Sequence, residues 1–194
     1  IWHVNRLLNR TDSRILATEW IFKHIPTGAN IYQVNSGTGA LQLDPGQFFL
    51  QKYARYRDLV NDGFTDQQLR SSVSGIVDSL VASRRYRQWL YDPDLEEFSF
   101  NGNIQDSLPR YVIVERVPLK HYDATPQEIS RLVTESYRQI AEFVAFDTTA
   151  DNLYDWQDHF YIPLAGFVGV DRPGPNLYLY ELVLPSEASP EAPG

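Results

Sequence analysis

Tyr111-Val112-Ile113-Val114 is an unbroken apolar run, the pattern of a strand buried on both faces rather than wetted on one. Downstream, Thr125-Pro126-Gln127-Glu128 combines a capping box with a proline at the first helical position. A helix is therefore expected from there, with Ile129, Leu132, Val133, Tyr137 and Ile140 on its apolar face. Strands are expected at 142–146, 160–167 and 177–184. In the last of these, Leu177, Leu179 and Glu181 alternate with Tyr178, Tyr180 and Leu182. Upstream, 92–109 is rich in Pro, Gly, Asn and acids and reads as a loop. Two helices precede it. Asp44-Pro45 starts one, carrying Phe49, Tyr53, Tyr56 and Val60, and the Thr65/Gln68 capping box starts the other, carrying Leu69, Val73, Ile76, Val77 and Leu80. Nearer the start, Thr11-Asp12-Ser13 offers caps for a helix near 12–24, and 29–34 reads as a short strand around Ile31, Tyr32 and Val34.

Strands alternating with capped helices predict the α/β class. The expected architecture is layered: a largely parallel sheet flanked by helices, with a helical hairpin inserted at about 45–90. One domain is expected over 1–184, with a disordered tail at 185–194.

Composition narrows the function classes. The 194 residues are 43% hydrophobic and 22% charged, as in an ordinary globular protein. A net charge of −8 argues against nucleic acid as a partner, because phosphate affinity needs clustered Lys and Arg. The whole of that charge lies in residues 142–194, which hold nine acids and one base. Cysteine is absent, which excludes disulfides, thiolate metal sites and a cysteine nucleophile. Methionine is absent too, and the opening Ile1-Trp2-His3 is what a piece of a longer protein would show. No apolar run reaches the ~20 residues that span a bilayer.

Motifs for nucleophilic, nucleotide or zinc-protease chemistry are missing. Gly37-Thr38-Gly39 lacks the third glycine of a dinucleotide loop, and a plain βα loop is the simpler reading. Arg84-Arg85-Tyr86-Arg87 is a basic patch that suits a solvated helix end better than a phosphate site. His121 and Asp123 lie in the loop after the 111–116 strand, and ligands gather at the carboxyl ends of strands in α/β sheets. The densest polar cluster is Asp151, Asp155, Asp158 and His159. These residue types can hold a divalent cation, but the spacing matches no calcium loop, and an acidic turn is the plainer account. No cofactor is therefore expected. Trp156 beside those carboxylates is the pairing that sugar binding uses, a ring face to stack on and acids to accept hydroxyl protons.

Two distant stretches carry a family resemblance together. Ser13-Arg14, Ala17, Trp20-Ile21, Ile25-Pro26 and Gly28 fit the pattern [TS]R-x-x-A-x-x-WI-x-x-x-IP-x-G. Tyr154-Asp155-Trp156-Gln157-Asp158-His159-Phe160-Tyr161-Ile162-Pro163-Leu164-Ala165-Gly166-Phe167 leads into Arg172-Pro173-Gly174-Pro175-Asn176-Leu177-Tyr178-Leu179-Tyr180. The pair resembles the extracytoplasmic C-terminal region of bacterial multi-spanning membrane glycosyltransferases, relatives of the dolichyl-phosphate-mannose protein mannosyltransferases. The resemblance implies a parent that moves a sugar from a polyprenyl-phosphate carrier to an acceptor outside the cytoplasm. It also implies a membrane domain of the same polypeptide as partner, with a glycan acceptor or the lipid-phosphate sugar as ligand. The catalytic carboxylate of such enzymes lies between early transmembrane helices, so no catalytic residue is expected here. The expected role is that of a non-catalytic accessory domain that helps position the acceptor or the lipid-linked donor or stabilises the enzyme, with His121, Asp123, Asp155, Trp156, Asp158 and His159 as substrate-binding candidates. Two rival readings are a free-standing carbohydrate-binding module and a metal-assisted hydrolase built on 151–159.

Overall fold

The computed structural model describes residues 2–34, 41–43, 85–119, 125–155 and 161–183. In chain order the elements are α1 (Trp2–Leu8), α2 (Ser13–His24), β1 (Asn30–Gln33), β2 (Arg87–Asp92), β3 (Glu97–Phe100), β4 (Asn103–Ile104), β5 (Tyr111–Arg116), α3 (Gln127–Ser136), β6 (Tyr137–Phe143) and β7 (Asn176–Leu182). The strands form a sheet in the order β4-β3-β2-β1-β5-β7-β6.

The expected layered α/β domain, with a largely parallel sheet flanked by helices, is overturned. The sheet is mixed. Only β1–β2 and β1–β5 run parallel, while β2–β3, β3–β4, β5–β7 and β6–β7 run antiparallel. Sheet dominates, and among the described residues one short helix packs on each face. Short connections explain the direction of β2–β3 and β3–β4, since a tight turn joins only antiparallel neighbours. Asp92 Oδ1 accepts from the amides of Asp94 and Leu95 at 2.9 and 3.3 Å, which folds β2 back onto β3. Asn101 and Gly102 both take positive φ, 52° and 78°, as a two-residue turn with right-handed strand twist requires. The loop expected at 92–109 is thus a meander as far as Ile104 and irregular only from 105 to 109. The expected helical hairpin fares no better at its end, because Arg87–Asp92 is a strand. Its remainder, 45–84, lies outside the described residues, as does the tail expected at 185–194.

Asp12 caps α2 as its residue type predicts, accepting from the Arg14 amide at 2.8 Å. Ala17 and Ile21 point from α2 onto Ile31, Ile113, Leu177 and Leu179. On the opposite face, Ile129 and Val133 of α3 cover Tyr32, Val112, Val114 and Phe98. Val112, Ile113 and Val114 are all buried, so β5 is covered on both sides. The N-cap expected at Thr125 falls one residue later, at Pro126, which makes no side-chain capping bond. Nor does the helix reach Ile140. It stops at Ser136, and Tyr137–Phe143 pairs with β7 instead. Tyr137 is buried and donates to the Pro109 carbonyl at 2.6 Å, so tertiary pairing overrides the local helical pattern. The strand expected at 142–146 therefore begins at Tyr137. The one expected at 160–167 is reduced, in its described part, to an isolated Leu153–Ala165 bridge.

Glu181 clamps this end of the sheet. It binds Arg110 at 2.9 Å and Arg138 at 2.8 Å, and accepts from the Tyr111 hydroxyl at 3.3 Å. The Arg138 hydrogen bonds, with help from Arg110, hold its carboxyl below the usual carboxylate range. A lowered folded-state pKa stabilises above the unfolded value, and the contribution disappears as pH falls through the folded value. Arg138 is 58% exposed, so solvent screens part of the gain. Glu181→Gln is expected to lower stability by about 1–2 kcal/mol at neutral pH. The gap to the parent should close below about pH 4. Urea midpoints measured from pH 7 to pH 3 check both statements.

Candidate functional site

β1 lies between two strands parallel to it, β2 on one side and β5 on the other. After β1, Leu41 and Leu43 pack with α2, and after β5, Ile129 and Val133 of α3 pack on the opposite face; strand ends from which the chain departs to opposite faces are where open sheets form ligand crevices. Val34 donates to the Ile113 carbonyl at 2.9 Å and closes the ladder at that end.

The buried carboxylate of Glu115 sits there, at 1% exposure, on the face that β5 turns toward α2. Burying a carboxylate is costly without polar partners. The Tyr161 hydroxyl donates to its Oε1 at 3.3 Å. The Arg14 guanidinium lies 5.0 Å over the Tyr161 ring, a cation–π distance. Asp12 aims that guanidinium through two bonds, Nε to Oδ1 at 2.9 Å and Nη2 to Oδ2 at 2.6 Å. The Asp12 hydrogen bond also raises the Arg14 pKa, outweighing partial burial, so the side chain stays cationic. Gln33 occupies the last pair of β1, in register with Ile113, and its Nε2 is buried with no hydrogen-bond partner among the described residues.

The N-terminus of α2 reaches this place because the 173–175 segment holds it. Ser13 N donates to the Pro173 carbonyl at 3.0 Å, and Ser13 Oγ donates to the Pro175 carbonyl at 2.6 Å. Arg172 Nη1 donates to the Thr11 carbonyl at 3.4 Å. The two distant stretches that carry the family resemblance thus meet at one joint.

Of the sequence-derived candidates, Asp155 is described and exposed, one residue after the buried Tyr154. His121, Asp123, Trp156, Asp158 and His159 lie outside the described residues. In sequence, 120–124 follows β5 and 156–160 immediately precedes Tyr161. Asp151 is exposed, and among the described residues no three His, Asp or Glu side chains converge to hold a metal. The basic patch at 84–87 is not the expected helix end: Arg87 opens β2 and is exposed, while Arg85 and Tyr86 pack against α2. The Arg85 guanidinium covers the Phe22 ring at 4.7 Å and donates to the Phe22 carbonyl, while Tyr86 is buried and donates to the Ile21 carbonyl at 3.1 Å. Gly37-Thr38-Gly39 lies outside the described residues.

Sequence reasoning missed Glu115, Tyr161, Arg14 and Gln33 as a group. One signal was available: Glu115 directly follows the unbroken apolar run and shares its strand, where a charge is expected only with a purpose. Compared with protein-family models, with curated proteins and with solved structures, the chain matches none.

Proposed function

We propose that this chain is a non-catalytic accessory domain of a membrane glycosyltransferase that draws its sugar from a polyprenyl-phosphate carrier. It serves on the extracytoplasmic side and positions the acceptor or the lipid-linked donor. The observation that supports this reading is the joint itself. The 13–28 and 154–180 stretches, which carry the resemblance, pack together through Ser13, Pro173 and Pro175 and through Arg14 over Tyr161. The chemistry of the joint suits such a ligand. The partly exposed Arg14 guanidinium, fixed by Asp12, takes phosphate oxygens, while the buried Glu115–Tyr161 pair supports it from beneath. In sequence, 120–124 follows β5 and 156–160 precedes Tyr161, and His121, Asp123, Asp155, Trp156, Asp158 and His159 belong to the same reading as further ligand contacts.

Two measurements test it. Reading the coding region upstream of Ile1 is expected to reveal several apolar spans of ~20 residues. A leader peptide alone would overturn the reading in favour of a free-standing carbohydrate-binding module. In the full-length transferase, Arg14→Ala is expected to raise KM for the lipid-linked donor or the acceptor about tenfold and leave kcat within about twofold. Unchanged KM for both, in a variant with parental thermal stability, would remove Arg14 and its joint from the binding role.

A further inference from the structure

The acids of the first 141 residues balance the bases in number but not in space. Residues 92–106 contain Asp92, Asp94, Glu96, Glu97 and Asp106 and no base. This stretch forms the β2–β3–β4 meander, and α3 lies beside it. Between them runs a groove with a cavity volume of about 450 Å³.

The groove has two acidic walls and an apolar floor. Glu96 and Glu97 stand on the meander side, Glu128 and Glu135 on α3, and Asp106 on the segment leaving β4, against Arg131 as the single base among the described residues. Among the described residues none of these five carboxylates forms an ion pair. The floor is aromatic and aliphatic. The Tyr91 and Phe98 rings are 5.0 Å apart, Leu108 and Leu132 are half-buried, and Ile104 is 59% exposed. Ile129 and Val133 are committed to the sheet, so the Glu128, Leu132 and Glu135 stripe of α3 is left to face the groove. The Tyr91 phenol has a raised pKa, from burial first and then from Glu128 and Glu96, which puts their fields at the ring.

Charge and shape together select the occupant. Nucleic acid and anionic lipid are repelled by these walls. A single metal ion needs converging ligands, and these carboxylates do not converge among the described residues. Glu128 and Glu135 are instead two helical turns apart, ~10 Å along the axis. An extended peptide covers that distance in about three residues. Its cationic side chains would face both walls, its aliphatic ones would meet the floor, and one cation could lie against Tyr91.

We propose that the groove between the meander and α3 binds an extended basic segment of a partner protein, Arg or Lys interspersed with Leu-like residues. This surface stands independently of the glycosyltransferase reading, since it shares no residue with the Arg14–Tyr161 joint.

Titration calorimetry of the chain with a short synthetic peptide alternating Arg and Leu tests the proposal. Spermine and a peptide with Gln in place of Arg serve as comparisons. Saturable binding of the Arg–Leu peptide is expected, weakening as salt is added. Glu97→Lys combined with Glu128→Lys should weaken it at least tenfold, and Leu132→Ser at least threefold. Glu19→Lys, on the exposed side of α2, should leave it unchanged. Urea midpoints establish that the variants fold; Glu135→Lys, at an exposed position, replaces the double variant if that one does not. No saturable binding, equal binding of the Gln peptide, or indifference to charge reversal overturns the proposal. Spermine binding as tightly as the peptide and displacing it also overturns it, in favour of a small-polycation site.

Discussion

Replacing Asn176 by Leu should destabilise the chain by about 3–5 kcal/mol. Asn176 opens β7 at 1% exposure, and its amide does the work of a missing strand partner. Its Oδ1 accepts from the amides of Ala145 and Phe146 at 2.7 and 3.0 Å, and its Nδ2 donates to the Phe146 carbonyl at 2.8 Å. Both backbone residues are buried, so no water replaces what Leu removes. Each buried amide left without an acceptor costs about 1–3 kcal/mol. The loss is read from urea unfolding, where the midpoint should drop and the slope should hold. Native-state hydrogen exchange gives a sharper check. The Ala145 and Phe146 amides, slow in the parent, should exchange faster relative to those of β5. A midpoint within about 0.5 kcal/mol of the parent would mean that this segment does not depend on the Asn176 bonds.

Gly174→Ala is expected to cost a similar amount, about 3–5 kcal/mol, for a different reason. Gly174 has φ +105°, a conformation that side-chain-bearing residues adopt only with strain. A Cβ there would overlap Ser13 Oγ and lie 2.6 Å from Asp12 Oδ1. Neither neighbour can yield cheaply. Ser13 is fully buried and donates to both Pro173 and Pro175, and Asp12 caps α2 while gripping Arg14. The substitution therefore pushes the N-terminus of α2 off its seat and takes Arg14 away from Tyr161. Ser13→Ala, which removes one hydrogen bond without a clash, should cost only about 1–2 kcal/mol. Because both changes act on one joint, the double variant should lose less than the two single losses together. Full additivity in denaturant unfolding would mean that Gly174 acts elsewhere than through Ser13.

How much was legible beforehand depends on the range of the forces involved. The helix at Ser13–His24 announces itself through its cap at Asp12, settled within a few residues. The strand at Tyr111–Arg116 announces itself through an apolar run, and Asn176–Leu182 through alternation. Asn101-Gly102 is equally local, and its turn signal marks the β3–β4 hairpin inside a stretch whose composition alone suggests a loop. Tyr137 to Ile140 was ambiguous by nature. Its apolar spacing continues a helix, yet Leu182 and Tyr180 of β7 offer Tyr137 and Gln139 strand partners. Only a neighbour 41–45 residues away decides between the two, and no local pattern reports it.

The candidate site divides in the same way. A charge closing the 111–114 run was visible at Glu115, but not its contact with Tyr161, 46 residues on. Arg14 belonged to a recognisable motif, but nothing local says that its guanidinium covers a ring 147 positions later. By itself the sequence determined the sign and distribution of charge, the absence of thiol chemistry, and those elements whose caps and periodicities are short-range. The tertiary structure alone decided strand order and direction, the strand fate of 137–143, the joint at Ser13 and Gly174, and the acidic groove. These depend on contacts between residues far apart in the chain, where the gain comes only after the whole sheet has closed.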